Sequence, residues 1–252
     1  MELNSGLRIP IWLEARLPLE QAALLRYRVG PGDGLGRGDD TPVMLIPGFL
    51  TGDLSLAQMA GWLRGLGYRP CRAGMRANVD CTERALARLE SQLERFSSEH
   101  SRRVTIIGQS RGGAMARILA VRRPDLVDLI ICLGSPLTDQ FAVHPFVGAQ
   151  VRAVAALGSI GIPGLFSFAC RGHCCVQTAK DLTASFPRDV GFVSVFSRTD
   201  GIVDWRACLD PAADTIEVSS SHAGMAVNPA VYRAVALALP RPKADSVPAL
   251  AA

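Results

Sequence analysis

The chain has 252 residues, 48% of them hydrophobic and 20% charged, with a formal net charge of +4 from 27 basic and 23 acidic residues. That length buries a full core as one large domain, and the composition excludes a disordered chain. All but two of the basic residues are arginines, scattered without a basic block, which speaks against nucleic-acid binding.

The first stretch, MELNSGLRIPIWLEARLPLEQ, has acids at Glu2, Glu14 and Glu20 and no continuous apolar core or small-residue cleavage site. No export signal is expected, so the chain is read as cytoplasmic, with free thiols as the default for its cysteines. PVMLIP (42–47) is a short apolar run ending at Pro-Gly, the pattern of a strand buried on both faces. A helix is predicted from Leu54 to Leu66, and GYRPCRA supplies a short strand after Gly67. Asp80 with Glu83 three residues on reads as a capping box opening a helix, whose apolar stripe runs through Leu86, Leu89, Leu93 and Phe96.

RVTIIG is the next buried strand, followed by a helix from Ser110 to about Val121, and LVDLIICLGSP is another strand, ending at Gly134-Ser135-Pro136. Residues 137–187 carry no strand character and are read as an insertion. GFVSVFS and TIEVSS are two further strands, Pro229 to Leu239 a closing helix, and 240–252 a flexible tail. Strands alternating with helices imply a mainly parallel sheet with helices on both faces, and chemistry at the carboxyl ends of its strands.

Two stretches of the insertion call for separate readings. Ala153 to Cys170 is uncharged for 18 residues, at the lower limit for a membrane span, but Gly158, Gly161, Pro163 and Gly164 break it into short helical pieces. No transmembrane span is expected, and peripheral membrane contact stays open. CRGHCC puts Cys170, His173, Cys174 and Cys175 within six residues. Free buried thiols are favoured there, then a disulfide within the loop or to Cys208. Metal comes last, because four ligands so close in sequence crowd a tetrahedral ion and no C-x2-C partner occurs elsewhere.

The chemistry-bearing motif is Gly108-Gln109-Ser110-Arg111-Gly112, a G-x-S-x-G sequence between a predicted strand and a predicted helix. Small residues two before and two after Ser110 permit the sharp turn that lifts a hydroxyl above a sheet, and the helix N-terminus favours developing negative charge. A serine needs a base. Of the four histidines, His100 lies at the wrong edge of the sheet, and His144 and His173 fall in the insertion. His222 follows the last strand directly. Its imidazole needs a carboxylate, and SRTDGIVDW offers Asp200 at the strand end, which is favoured, or Asp204.

Ser110, Asp200 and His222 then run nucleophile, acid, base, each after its own strand. With LIPGF, GQSRGG, SRTDGIV and SSHAGM, the chain from about Pro42 to Leu239 resembles an α/β-hydrolase, and more narrowly the bacterial lipases and esterases. The resemblance implies a single domain with a sheet of about six strands, since the family's first two strands have no counterpart before Pro42. It also implies a helical cap at 137–187, between strands ending near Gly134 and starting near Gly191. The family's oxyanion donors map to the backbone N–H groups of Phe49, or Leu50 beside it, and Arg111. Many lipases have His-Gly where this chain has Pro47-Gly48-Phe49-Leu50, which makes the loop more apolar.

The implied function is hydrolysis of a hydrophobic carboxylic ester through an acyl-enzyme, with no cofactor and no metal. The partner is a small-molecule ester or acyl substrate. Acyl transfer on the same triad and a non-catalytic ligand-binding module are the alternatives, and the sequence sets no oligomeric state.

Overall fold

Strands with both faces covered must be largely apolar, and VMLI, II (106–107) and LIICL meet that demand. The computed structural model describes residues 9–27, 38–171 and 175–239. Six strands form one sheet: β1 (Pro42–Ile46), β2 (Arg69–Arg72), β3 (Val104–Gln109), β4 (Val127–Leu133), β5 (Gly191–Phe196) and β6 (Asp214–Glu217). Every pairing is parallel, in the order β2-β1-β3-β4-β5-β6. The mainly parallel six-stranded sheet expected from the sequence is the sheet observed.

Seven α-helices accompany it among the described residues: α1 (Leu17–Arg26), α2 (Ala57–Gly65), α3 (Thr82–His100), α4 (Arg111–Arg122), α5 (Pro145–Ser159), α6 (Val176–Thr183) and α7 (Pro229–Ala238). Alternate strand residues feed two separate cores. Val43, Leu45, Ile107 and Ile131 pack with α2 and α7 on one face. Met44, Ile46, Ile106 and Ile130 pack with α3 and α4 on the other. This period-2 division fixes the register, because a one-residue slip exchanges the two cores.

The helix α1 and the 3-10 turn Ile11–Arg16 before it were not foreseen. The capping box at Asp80 is not formed. Cys81 is the N-cap of α3 and makes no side-chain cap bond, because Asp80 is held by Arg84 and Arg88 and Glu83 by Arg122 and Thr178. The last strand stops at Glu217, short of the predicted TIEVSS end. Within the insertion, α5 ends at Ser159, and Gly161 and Gly164 follow at φ +94° and +79°. No helix of the described residues is long and apolar enough to cross a membrane. The tail at 240–252 lies outside the described residues.

A buried ion pair ties α4 to the loop before β6: Arg117 Nε donates to Asp210 Oδ2 at 2.7 Å, with side-chain exposures of 6% and 7%. The same guanidinium also serves the carbonyls of Asp181 and Ala184, fastening the end of α6 to α4. Removing one partner strands a buried charge. Arg117→Met is therefore expected to destabilise the fold by about 3–5 kcal/mol in urea unfolding, with the denaturant slope unchanged.

Candidate active site

Ser110 stands at the corner between β3 and α4 with φ +53° and ψ −121°, a backbone conformation that L-residues adopt only under strain. The glycines around it remove every obstacle to the turn. A Cβ on Gly108 would collide with the Gly112 backbone, one on Gly112 with the Ile46 carbonyl, and one on Gly113 with the Ser135 side chain. The helix therefore lies directly on the sheet, with the serine half-exposed at its end. The loop after β1 runs alongside: a Cβ built on Gly48 would lie 3.3 Å from Ser110 Cβ.

Arg111 is the first residue of α4, so its N–H has no intrahelical acceptor. Its side chain turns away, donating to the carbonyls of Asn78 and Asp80 at 2.7 Å each and to Thr82 Oγ1 at 3.0 Å. Desolvation lowers the guanidinium pKa to about 10. Phe49 is half-buried while Leu50 is exposed at φ +59°. Asn78 supports this loop, giving its Nδ2 to the Pro47 carbonyl at 2.8 Å and its backbone N–H to Thr51 O at 2.8 Å.

His222 and Asp200 meet as a buried pair, Nδ1 to Oδ2 at 2.7 Å. Asp200 Oδ1 accepts the N–H groups of Ile202 and Val203, both at 2.8 Å, so both of its oxygens are committed. With the carboxylate accepting from Nδ1–H, Nε2 is the imidazole's basic nitrogen. Burial alone would lower the His222 pKa, but the charge and hydrogen bond of Asp200, with the charge of Glu14, raise it above its ordinary value. Gly134, at φ +54° at the end of β4, makes room for the pair: a Cβ there would lie 3.2 Å from Asp200 Oδ2 and 3.3 Å from His222 Nδ1.

Asp204 is not part of this pair. It caps the 3-10 turn Trp205–Cys208 through Arg206 N. His100 bonds the Phe96 carbonyl at the end of α3, and His144 caps α5. His173 and Cys174 lie outside the described residues. Cys208 is a free thiol enclosed with Phe196 and Val203, so it does not tie down the cysteine loop.

The sequence reading missed the supports. Glu14 accepts the backbone N–H groups of Gly201 (2.9 Å), His222 (2.8 Å) and Ala223 (2.9 Å). Glu20, on α1, accepts from Ser221 N at 2.8 Å and Asn228 Nδ2 at 3.2 Å. Gln109 Nε2 donates to the His222 carbonyl at 3.2 Å, linking the serine corner to the histidine loop. Thus two N-terminal carboxylates clasp the loops that carry Asp200 and His222. The available signal was the pair Glu14 and Glu20, six residues apart beside few other charges.

Glu14→Gln removes one of the charges that raise the His222 pKa, so the imidazole is expected to titrate at lower pH, read by NMR of its ring protons. The same change weakens three amide contacts and should cost about 1–3 kcal/mol in unfolding. An unmoved imidazole titration would mean that Asp200 alone sets this electrostatic environment.

No protein-family model and no curated protein matches the sequence. Among solved structures, the mature lipase BlEst2 of Bacillus licheniformis superposes with a TM-score of 0.59 at 14% identity, over 84% of this chain and 95% of that one. Lipase B of Aspergillus fumigatus gives a TM-score of 0.55 at 16% identity, over 86% and 57%. Tomato methylketone synthase I, solved with 2-tridecanone, gives 0.52 at 9% identity, over 79% and 95%. What these proteins hold in common with this chain is architecture, and that architecture is the α/β-hydrolase fold.

Proposed function

We propose that the protein is a serine hydrolase that cleaves a hydrophobic carboxylic ester through an acyl-enzyme. The observation that carries this reading is the buried Asp200–His222 pair at 2.7 Å. A desolvated imidazole with its Nδ1–H committed to a carboxylate is what a general base requires. The strained corner at Ser110 adds to it, since strain of this kind is retained where the surrounding structure uses it.

In this mechanism Ser110 Oγ attacks the ester carbonyl while His222 Nε2 takes the hydroxyl proton. Asp200 stabilises the resulting imidazolium. The oxyanion is held by the backbone N–H groups of Phe49 and Arg111, each worth about 2.7–4 kcal/mol in the transition state. Collapse breaks the C–O bond, and His222 returns its proton to the departing alcohol. Water, deprotonated by His222, then attacks the acyl-serine; collapse breaks the acyl–Oγ bond, His222 returns the proton to Ser110 Oγ, and the acid departs.

The insertion at 137–187 serves as the cap in this reading. Phe166 packs near Phe49, with ring centroids 6.1 Å apart and the rings tilted by 36°, and under the Arg111 guanidinium at 5.5 Å. Phe141, Phe146, Leu157, Ile160 and Phe168 stay exposed, an unusual concentration of apolar surface. An acyl chain is the substrate part that such a surface favours. The lipase names among the structural neighbours agree with that class.

Labelling with a fluorophosphonate tests the nucleophile, and p-nitrophenyl esters of rising chain length test the cap. Labelling that disappears in Ser110→Ala, with kcat down by on the order of 10⁴–10⁶-fold, is the expected result. A folded wild type that takes no label would point instead to a ligand-binding scaffold. The rate should also fall as pH drops through the ionisation of His222. That fall begins at higher pH than for an ordinary imidazole, because the pKa is raised and only the neutral ring accepts a proton. A flat kcat/KM profile through this range would remove His222 as the base.

A further inference from the structure

Two thiols of the CRGHCC stretch and a third from a distant part of the chain converge beside the insertion. Cys81 is the N-cap of α3, Cys170 lies in the 3-10 turn Phe168–Arg171, and Cys175 is the N-cap of α6. Their sulfurs all lie within 4.8 Å of one another, and Cys81 Sγ and Cys175 Sγ are 3.7 Å apart. Two thiolates bound to one tetrahedral zinc, with Zn–S bonds of about 2.3 Å, stand about 3.8 Å apart by simple geometry. A disulfide would need about 2.05 Å. The CRGHCC motif by itself lacked a ligand far away in sequence, and Cys81 supplies it.

The electrostatics around the cluster agree. The Arg111 guanidinium is a desolvated cation whose hydrogen-bond acceptors are all neutral: two carbonyls and a hydroxyl. Once ionised, all three sulfurs would act favourably on this cation, and Cys81 and Cys170 likewise on Arg84. Three thiolates around a divalent ion carry a net charge of about −1, which Arg111 offsets. The start of the long helix α3 adds its positive dipole end at Cys81. A cavity of about 450 Å³, lined by Cys81, Cys170, Arg84 and residues of the 161–165 turn, opens beside two of the three sulfurs.

We propose that Cys81, Cys170 and Cys175 bind one thiophilic d10 cation, of which Zn²⁺ is the representative. Soft thiolates select such ions over magnesium or calcium. The ion ties the insertion to the start of α3. It thereby fixes Phe166, already bonded through its backbone N–H to Val79 O at 2.8 Å, over Phe49 and Arg111. The site is structural and stands independently of the hydrolase reading.

The test uses the reduced 252-residue chain, stripped with chelator and titrated with Co²⁺. Saturation at one ion per chain is expected, with thiolate-to-cobalt charge-transfer absorption and tetrahedral d–d bands, followed by stoichiometric displacement by Zn²⁺. Cys81→Ser and Cys170→Ser should each weaken Co²⁺ binding at least about tenfold, whereas Cys71→Ser and Cys208→Ser leave it unchanged. Zn²⁺ should raise the Tm of the wild type and not that of Cys170→Ser, a variant at a half-exposed position that keeps the test available if Cys81→Ser fails to fold. Absence of charge-transfer absorption in folded, reduced wild type overturns the proposal. So does unchanged binding in both Cys81→Ser and Cys170→Ser, which would place the ion on other thiols.

Discussion

Contact between the backbone of α4 and the sheet is the constraint on which the rest of the molecule depends. No side chain fits between Gly112 and the Ile46 carbonyl, or between Gly108 and Gly112. The helix is thus pressed onto β1 and β3 at its first turn. Ser110 takes up the geometric mismatch at φ +53°, and the loop after β1 is drawn against it. Small residues are here a packing requirement, independent of any reaction. The same packing leaves a hydroxyl and a helix N-terminus at the carboxyl edge of the sheet, where the other loops converge.

A second constraint is the disposal of buried negative charge. Glu14, Glu20 and Asp200 gather around the loops after β5 and β6; Glu14 and Asp200 are satisfied largely by backbone N–H groups, and Glu20 by Ser221 N together with the Ser221 and Asn228 side chains. Amide donors stabilise a carboxylate without neutralising it, so the local field at His222 stays negative. That explains how a buried imidazole keeps a raised pKa although desolvation opposes it. It also explains why the 3-10 turn Ile11–Arg16 and α1 belong to the site's structure while lying outside the alternating strand-helix core.

The legible parts of the sequence were those governed by local rules. The central strands were visible because both faces are buried, and the corner because Gly108, Gly112 and Gly113 flank a strand end. Asp200 was separable from Asp204 by its position at a strand terminus. The illegible parts are all long-range. Helix α1 carries little apolar periodicity and buries only Glu20 and Leu24, so its attachment through carboxylates leaves no pattern in sequence. The Asp80–Glu83 pair has the spacing of a capping box, but arginines 84, 88 and 122 compete for both carboxylates. Asn78 and Gln109 act through contacts to Pro47 and His222, which no local window contains.

The insertion shows how these constraints join. Arg111 has two separate attachments: its backbone begins α4 at the serine corner, and its side chain is anchored in the loop before α3. Phe166 of the insertion packs on that side chain and on Phe49, and the three sulfurs surround the same region. Any force that holds the insertion against α3 therefore acts on the two residues whose amides flank Ser110 in the proposed chemistry. The α/β-hydrolase fold accommodates many reactions on one scaffold. In this chain Arg111 attaches the insertion to the serine corner, so a change in how the insertion packs reaches the start of α4 through one side chain.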